Sequence, residues 1–469
     1  MSRAYDVLIL GGGLAGLSCG LKLSESGKNI AVIEKEKSVG GLARTIEEGE
    51  FRFDLGGHRL FTKNIETQNF LEEILGDQLI EVGRSSKIFM MGKYFDYPLR
   101  ATNAFLGMGP EKSFEIVLDY AVENIRRRLS KKDIVSLEDW VVQDFGRSLF
   151  ELYFKDYSEK VWGIDCSDIS KDWVSQRIKG LSLGKAMKKA FFGNNKNDCA
   201  TLIKKFRYPR EGIGVLSIEM KRKIEEKGHV FTELKAERIH IRNNRVVEVK
   251  ARNCNSDMYF EAENFISSLP VNLLVNIIKP RAPSEVLRAA DKLKFRDTVI
   301  VTIFINRHKA TEESWIYFPE KDIPFGRLHE PKNWSSVMAP EGKTSLVVEY
   351  FSGRDEKLWQ DDDEKLIKMT AEKLVELGYF EEHELLGGKV IRVSDAYPLF
   401  KVGYKEELDI IRNYLESIDN LITIGRSGRF EYYNMDHALE SGIKAAEIVL
   451  GKNCNLKKVL DNSYLEEMT

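Results

Sequence analysis

Three glycines and one glutamate near the start of the chain have the types and the spacing needed to bind a dinucleotide. Gly11, Gly13 and Gly16 fit the pattern G-x-G-x-x-G, and Glu34 follows at the distance expected for an acid that binds ribose hydroxyls. In this pattern the first glycine makes a tight turn, the second lets the backbone approach a pyrophosphate, and the third lets helix and strand pack closely. The phosphates would lie at a helix N-terminus, where free N–H groups and the dipole favour negative charge.

Local patterns on either side of these residues predict the elements that would hold them. Residues 5–10 are a short apolar run typical of a buried parallel strand. Residues 14–26 have helical spacing, and Gly27 follows as a C-terminal cap. Residues 29–34 form a second apolar run that ends on the acid. Because strand, helix, strand and acid follow in this order, the sequence predicts a Rossmann-like unit.

A second set of glycines narrows the choice of dinucleotide. Gly40-Gly41 comes six residues after Glu34 and precedes an Arg and a Thr, and an Asp-x-Gly-Gly-His series ends at His58. This arrangement resembles the FAD-binding start of the amine oxidase and protoporphyrinogen oxidase superfamily, in which the doublet passes close to the flavin and pyrophosphate. The resemblance implies FAD as the cofactor. The residues expected to contact it are Gly11, Gly13, Leu14, Ala15, Gly16, Glu34, Lys35, Gly41, Leu42, Gly57, His58, Gly425, Arg426, Asn434 and Met435.

Composition argues against several classes of protein. The 469 residues are too many for one ordinary core, so two or more domains are expected. A net charge of −2 gives no general reason to bind nucleic acid. The five cysteines are scattered and form no C-x-x-C pair, which argues against a metal site and favours a reducing, cytoplasmic compartment. No apolar run reaches about eighteen residues, so we expect no transmembrane segment.

The order of the predicted elements indicates an α/β fold with interrupted domains. A Rossmann-like FAD-binding domain is expected from the discontinuous segments 1–100, 206–270 and 415–455. A helical domain, residues 101–205, is inserted into it, and residues 271–414 form a β-rich, β-sheet substrate domain. Residues 177–210 contain ten Lys or Arg residues and one acid, together with several glycines. This composition suits either a mobile basic lid or a solvated basic face.

Segments farther along the chain give a more specific resemblance. Residues 153–163 are similar to the aromatic stretch before the mobile loop of UDP-galactopyranose mutases, where a tryptophan, here Trp162, lies by the uridine. Arg177 resembles the loop arginine that closes over the pyrophosphate, and Arg327 lies in a segment similar to the one that carries a second arginine. Residues 425–436 resemble a C-terminal segment whose tyrosines hold phosphates.

This resemblance implies an FAD-dependent nucleotide-sugar mutase that interconverts pyranose and furanose forms of a UDP-sugar or a similar small molecule. In that chemistry N5 of reduced FAD attacks the anomeric carbon while the nucleoside diphosphate leaves. Arg177 and Arg327 would hold the diphosphate, since guanidinium groups pair with phosphate oxygens in a bidentate fashion. His58 would contact the flavin ring, although a single histidine is more often a structural group. The expected substrate-binding residues are Tyr157, Trp162, Arg177, Arg327, Tyr397, Tyr432 and Tyr433.

A different class of enzyme remains open at this stage. An FAD-dependent oxidase or desaturase of the protoporphyrinogen oxidase or amine oxidase type would use the same cofactor domain but an apolar substrate channel. The aromatic residues that could line such a channel are Tyr153, Phe154, Tyr157 and Trp162. A flavoprotein used only as a scaffold is a third alternative. The sugar, the base, the reductant and the oligomeric state, including a homo-oligomer, are left undecided by the sequence.

Overall fold

The computed structural model describes residues 2–97, 110–129, 133–173, 205–254 and 256–452. These residues form two large β-sheets, a block of helices and two small β-ribbons. The ribbons pair Thr45–Glu48 with Phe51–Asp54 and Leu79–Gly83 with Lys205–Pro209. Within the described ranges, no helix is both long enough and apolar enough to cross a membrane.

The first sheet has eight strands and a parallel centre. The first strand, Ser2–Leu10, pairs in parallel with Asp257–Ser267 on one side and with Ile30–Ile33 on the other. Residues 7–10 and Ile30–Ile33 are buried on both faces, which explains their continuous apolar sequences, whereas only the last three residues of Asp257–Ser267 are buried in succession. The remaining strands are His229–Phe231, Leu421–Thr423, Lys235–Arg242, Arg245–Arg252 and Ile278–Lys279.

Helices cover the two faces of this sheet. Val7 and Ile9 face one layer, and Leu8 and Leu10 face the other, because successive side chains of a strand point in opposite directions. The first layer contains Leu14–Glu25, Gly214–Glu225 and Met435–Val449, and the helix Ile65–Leu75 packs at its edge. The second layer contains Val271–Ile277, Ser284–Lys292 and Tyr404–Glu416.

The second sheet has seven strands and is mainly antiparallel. Its order is Leu385–Pro398, Phe295–Ile305, Thr344–Ser352, Arg327–His329, Trp315–Tyr317, Ser86–Met90 and Lys93–Asp96. The hairpin made by the last two strands therefore joins this sheet, although its sequence lies among the N-terminal, cofactor-binding segments. One face packs on the helix Asp363–Glu376, and the other face packs on the ribbon formed by Thr45–Glu48 and Phe51–Asp54.

The described helices of the inserted block are short except for the first. They are Pro110–Leu129, Leu137–Phe145, Arg147–Leu149 and Asp156–Trp162, and a π-helical turn, Phe150–Lys155, leads into the last of them. Ser136 caps the second helix through a reciprocal pair of hydrogen bonds with Asp139. Six shorter helices complete the described structure: Gly76–Gln78, Pro331–Asn333, Ser336–Met338, Lys357–Gln360, Glu382–Glu384 and Gly425–Arg429.

Candidate active site

The glycine-rich turn leaves a space in front of the first helix. A Cβ atom on Gly16 would lie 2.0 Å from the Gly11 carbonyl oxygen, so Gly16 is required by the packing of the chain itself. Gly13 differs, because its φ of −75° suits any residue and the nearest atom to a Cβ there is Gly41 Cα, at 4.0 Å. The protein's own packing does not require glycine at position 13. The open space at the helix N-terminus fits a pyrophosphate.

Glu34 stands at the end of the second strand with both carboxylate oxygens engaged. Its Oε2 accepts a hydrogen bond from Gly12 N at 2.7 Å, and its Oε1 accepts one from Glu36 N at 3.0 Å. A carboxylate has about four lone-pair sites, so these bonds leave capacity for ribose hydroxyls. Lys35 is exposed and pairs with Glu36 at 3.6 Å, and its expected contact with FAD stays a prediction.

The other expected cofactor residues surround the same space. Leu14 and Ala15 form the first turn of the helix, and Gly41, at φ +59°, packs on Gly13. Gly57 lies so close to Trp315 that a Cβ on Gly57 would overlap the indole ring at 1.2 Å. The residues of this set that line a cleft between the two sheets are Leu42, Gly57, His58, Arg426, Asn434 and Met435. Gly425, at φ +74°, packs on Ala15 beside them.

The second sheet forms one wall of this cleft. In its register Glu349 pairs with Arg327, and Arg327 pairs with Tyr317 on the next strand. Cross-strand partners share a face, so these three side chains form a row, and Trp315 lies two residues from Tyr317 on the same face. All four residues line the cleft.

Arg327 is held in place from several directions. Its Nη2 lies 2.8 Å from Glu349 Oε2 and donates to the Tyr397 hydroxyl at 2.9 Å, while the guanidinium lies 4.8 Å from the centroid of the Phe351 ring. Burial raises the pKa of the Glu349 carboxyl, and the charge of Arg327 opposes that rise. Among the described residues, the buried Nε of Arg327 has no hydrogen-bond partner. This arginine is therefore oriented but retains a donor for a ligand.

Two histidines near the cleft are neutral at physiological pH. Burial lowers the pKa of His58 to about 4. The hydrogen bond between its Nδ1 and the Gly56 carbonyl oxygen, at 3.1 Å, opposes this shift only in part. Burial also lowers the pKa of His329 to about 3, and its ring stacks on Trp315. His58 therefore presents an uncharged imidazole to the cleft.

Aromatic residues meet beside Arg327, where the strand Leu385–Pro398 of the second sheet approaches Tyr432. The rings of Tyr397 and Tyr432 stack with centroids 5.8 Å apart, and the Arg426 guanidinium lies 5.2 and 4.8 Å from them. Trp162 contacts both tyrosines edge-on and is only 2% exposed, with an indole N–H that has no described partner. Tyr433 instead packs in the core beside His437 and does not line the cleft. Its expected contact with substrate phosphate stays a prediction.

A buried lysine joins the helical block to this wall. Lys160 Nζ donates to the backbone carbonyls of Phe318, Glu320 and Ile323 at 2.6 to 2.8 Å, within the segment that precedes Arg327. The same helix carries Tyr157, whose ring meets Tyr317 edge-on at 5.9 Å. Lys160 therefore fixes this helix against the strand that carries Arg327.

The sequence analysis missed several residues of the cleft. Arg59 follows His58 directly, so its place in the glycine-rich motif was an available signal. Glu349 is a single acid within an apolar run, and this pattern could have identified it as a candidate site residue. In the structure its side chain is only 2% exposed. Arg84, Trp315 and Tyr317 are among the further lining residues that were not expected. Arg177 and most of the basic stretch lie outside the described residues.

Comparisons with known proteins agree with this architecture. The solved structure of a reduced UDP-galactopyranose mutase aligns with a TM-score of 0.82 at 23% identity and covers 95% of this chain and 94% of that one. A putative protoporphyrinogen oxidase from Exiguobacterium sp. 255-15 aligns with a TM-score of 0.72 at 16% identity over 96% of this chain and 100% of that one. At these identities the likeness shows the fold alone.

Sequence relatives match over short stretches. A probable flavin-containing monoamine oxidase A from Dictyostelium discoideum is 40% identical over 57 residues, which are 12% of this chain and 12% of that protein. A carotenoid 3,4-desaturase from Haloarcula japonica is 41% identical over 51 residues, 11% of this chain and 10% of that protein. The matched stretches thus span only about a tenth of these relatives.

The family assignment rests on a longer match. The model for flavin containing amine oxidoreductases matches residues 14–450, which begin at the first helix, directly after Gly13, and run through the second sheet to the helix Met435–Val449. Membership of this family implies an FAD cofactor, in agreement with the space in front of Gly13. The chain belongs to the flavin-containing amine oxidoreductase family and is an FAD-dependent enzyme of that group.

Proposed function

We propose that the protein is a flavin-dependent mutase that acts on a nucleoside diphosphate sugar. The observation that carries this proposal is the charge of the cleft. Its described lining contains four arginines, namely Arg59, Arg84, Arg327 and Arg426, and two acids, Glu349 and Asp436. A diphosphate carries about two negative charges and is bound most effectively by guanidinium groups.

The residues of the cleft suggest how such a substrate would be held. Arg327 is oriented by Glu349 and Tyr397 before a ligand arrives, so less ordering is needed on binding. Its guanidinium lines the cleft and would pair with a phosphate oxygen. Arg426 donates to the carbonyl oxygens of Tyr433 and Ala396, at 2.7 and 3.1 Å, and its guanidinium lies beside Tyr432. Because both acceptors are neutral, they do not offset the positive charge of Arg426. Together these groups would stabilise a diphosphate as it separates from the sugar.

The cofactor would supply the reactive centre, since reduced FAD, when bound, provides a nucleophilic nitrogen for the anomeric carbon. The protein's part is binding, orientation and exclusion of water. His58 is neutral, so it would not repel a cationic centre that develops on the sugar. None of the described side chains has to act as a general base in this scheme.

The alternative is an oxidase or desaturase that acts on an amine or on an apolar molecule. The aromatic lining, including Trp315, Tyr317 and Tyr397, supports that alternative. The arginines oppose it, because a cationic amine would be repelled and an apolar substrate would leave the half-buried guanidinium of Arg426, which donates only to carbonyl oxygens, without an anionic partner. We therefore place the anionic nucleotide sugar first.

The test uses purified protein with its FAD, oxidised or reduced with dithionite. UDP and UDP-sugars are added while the flavin absorbance is recorded, and the sugar products are separated by chromatography. We expect UDP to perturb the flavin spectrum. We also expect the reduced enzyme, but not the oxidised enzyme, to isomerise a nucleotide sugar. If no nucleoside diphosphate binds at millimolar concentration, and an amine or an apolar substrate reduces the flavin, the oxidase alternative is correct.

A further inference from the structure

The longest helix of the inserted block, Pro110–Leu129, carries large apolar side chains on its solvent side. Phe114, Leu118, Val122 and Ile125 are between 44% and 65% exposed. Their spacing of four, four and three residues places them on one face, because 3.6 residues make one turn of an α-helix. These four residues form an apolar stripe about 17 Å long.

The opposite side of this helix already packs inside the block. Ile116 is buried in a cluster with Leu137, Val141 and Phe150. A surface helix normally buries one such face and presents polar residues on the other. This helix is apolar on both sides, and the described residues leave the apolar stripe largely uncovered. A contiguous exposed apolar surface marks a binding site for a protein or a membrane.

The charges beside the apolar stripe change sign along the helix. Glu111 and Glu115 are exposed near its N-terminal end. Arg126 is exposed near the other end, where it pairs with Glu123 at 2.6 Å, and residues 126–128 are three arginines in succession. At about 100° per residue, Glu111 and Arg126 lie on the same flank of the stripe.

The apolar stripe is complementary to itself when a second helix runs antiparallel to the first. A two-fold axis at the middle of the helix places Phe114 of one copy opposite Ile125 of the other. The same rotation places Leu118 of one copy opposite Val122 of the other. Each apolar side chain therefore meets an apolar side chain, and the interface closes with two copies.

The charges favour the same arrangement. The two-fold rotation keeps each flank on its own side, so Glu111 of one copy lies beside Arg126 of the other. The two helix dipoles also run in opposite directions, which is the favourable orientation. An anionic membrane surface would attract the arginines but repel Glu111 and Glu115. A second copy of the chain thus fits both ends of the helix, whereas a membrane fits one.

We propose that two copies of this protein associate through the helix Pro110–Leu129, packed antiparallel across a two-fold axis. A stripe about 17 Å long and one helix wide is smaller than a standard interface, which buries about 800 Å² per partner. The dimer is therefore reversible, with a Kd in the micromolar range. Every substitution in the apolar stripe acts twice, since a two-fold interface repeats each contact.

Sedimentation velocity of the FAD-bound protein measures the association, and we expect the parent protein to show a monomer–dimer equilibrium. Leu118→Glu places a carboxylate from each copy in the apolar centre, so the Kd should rise roughly thirtyfold or more. Ile65→Glu is the matched control, because Ile65 is equally prominent on another helix, Ile65–Leu75. This control should keep the parental Kd within about twofold.

Charge reversal tests the antiparallel orientation. Glu111→Arg and Arg126→Glu should each raise the Kd roughly threefold to tenfold, because like charges then meet twice across the axis. An equimolar mixture of the two variants should associate as tightly as the parent, since opposite charges meet again in the mixed dimer. A parallel pair cannot give this pattern, because it would bring like charges together in the parent itself.

Three results would overturn the inference. The first is a parent protein that stays monomeric at concentrations of about 200 µM, well above a micromolar Kd. The second is a parental dimer that persists in Leu118→Glu, since another surface would then hold it. The third is a monomer that binds vesicles of phosphatidylcholine and phosphatidylglycerol through Leu118, which would make the apolar stripe a membrane-binding surface. If Leu118→Glu fails to fold or to retain FAD, Ile125→Glu at the more exposed end of the stripe measures the same contact.

Discussion

Replacement of Arg327 tests whether it serves folding, binding or both. Arg327→Met leaves the Glu349 carboxylate, 2% exposed, without its cationic partner. Breaking a buried pair by removing one member costs about 3–5 kcal/mol of the free energy of unfolding. Arg327→Met/Glu349→Gln removes both charges, so most of this loss should be recovered, because a neutral pair can replace a buried ion pair with little net cost.

The loss of stability in Arg327→Met should depend on pH. Burial already raises the pKa of Glu349, and loss of the arginine raises it further. A carboxyl whose pKa is higher in the folded state than in the unfolded state stabilises the fold below its unfolded pKa, and that stabilisation is lost as the pH rises through the folded pKa. Denaturant unfolding of Arg327→Met should therefore give a larger deficit at pH 8 than at pH 5.

Function should follow a different pattern from stability. The double variant should fold and keep FAD, yet its turnover of a nucleotide sugar should fall roughly a hundredfold or more, since removal of one preorganised donor to a developing charge costs about 2.7–4 kcal/mol. Steady-state rates with dithionite-reduced enzyme measure this. The reasoning is refuted if the double variant, as stable as the parent, also turns over at the parental rate, because Arg327 would then not contact the diphosphate.

Three other changes test separate parts of the site. Gly13→Val should fold normally by circular dichroism but purify without FAD, because the new side chain enters space that the protein leaves open; a yellow variant with a full complement of FAD would contradict this. Lys160→Met should lower both the melting temperature and the affinity for UDP, since four carbonyls lose their donor and the segment before Arg327 is released; unchanged affinity would limit Lys160 to a structural role. Tyr397→Phe should weaken UDP binding by about threefold to tenfold in calorimetry, because the hydroxyl that contacts Arg327 at 2.9 Å is lost; unaltered binding would place the phosphate elsewhere.

Features that depend on neighbouring residues could be predicted from the sequence. The strand, glycine turn, helix and acid of residues 5–34 form one local unit, and the structure confirms their order. The hairpin turn at Asn243 and Asn244 is another local feature, because an Asn-Asn pair between two apolar runs indicates such a turn and both residues adopt the positive φ that asparagine tolerates. Such features need no knowledge of the rest of the chain.

Features that depend on distant pairing could not be predicted. The alignment of Glu349, Arg327 and Tyr317 follows from the register of three strands, which no local pattern determines. Arg84 reaches the cleft because the hairpin after it pairs with Trp315–Tyr317, more than two hundred residues away. The π-helical turn at Phe150–Lys155 likewise has no local sequence signal that would distinguish it from an ordinary α-helix.

The first helix of the cofactor site is completed by the last helix of the described chain. Ser18 Oγ donates to the Leu439 carbonyl at 2.9 Å, and a Cβ on Gly442 would lie 2.1 Å from the Ala15 carbonyl oxygen. A nascent chain therefore cannot finish this packing until residues 435–449 have left the ribosome, although the glycine turn emerges first. The apolar surface of the N-terminal segments stays exposed during translation, so we expect chaperones to assist the folding of this chain. Flavin should accordingly be loaded onto completed chains, so a shortage of FAD would act after synthesis rather than during it.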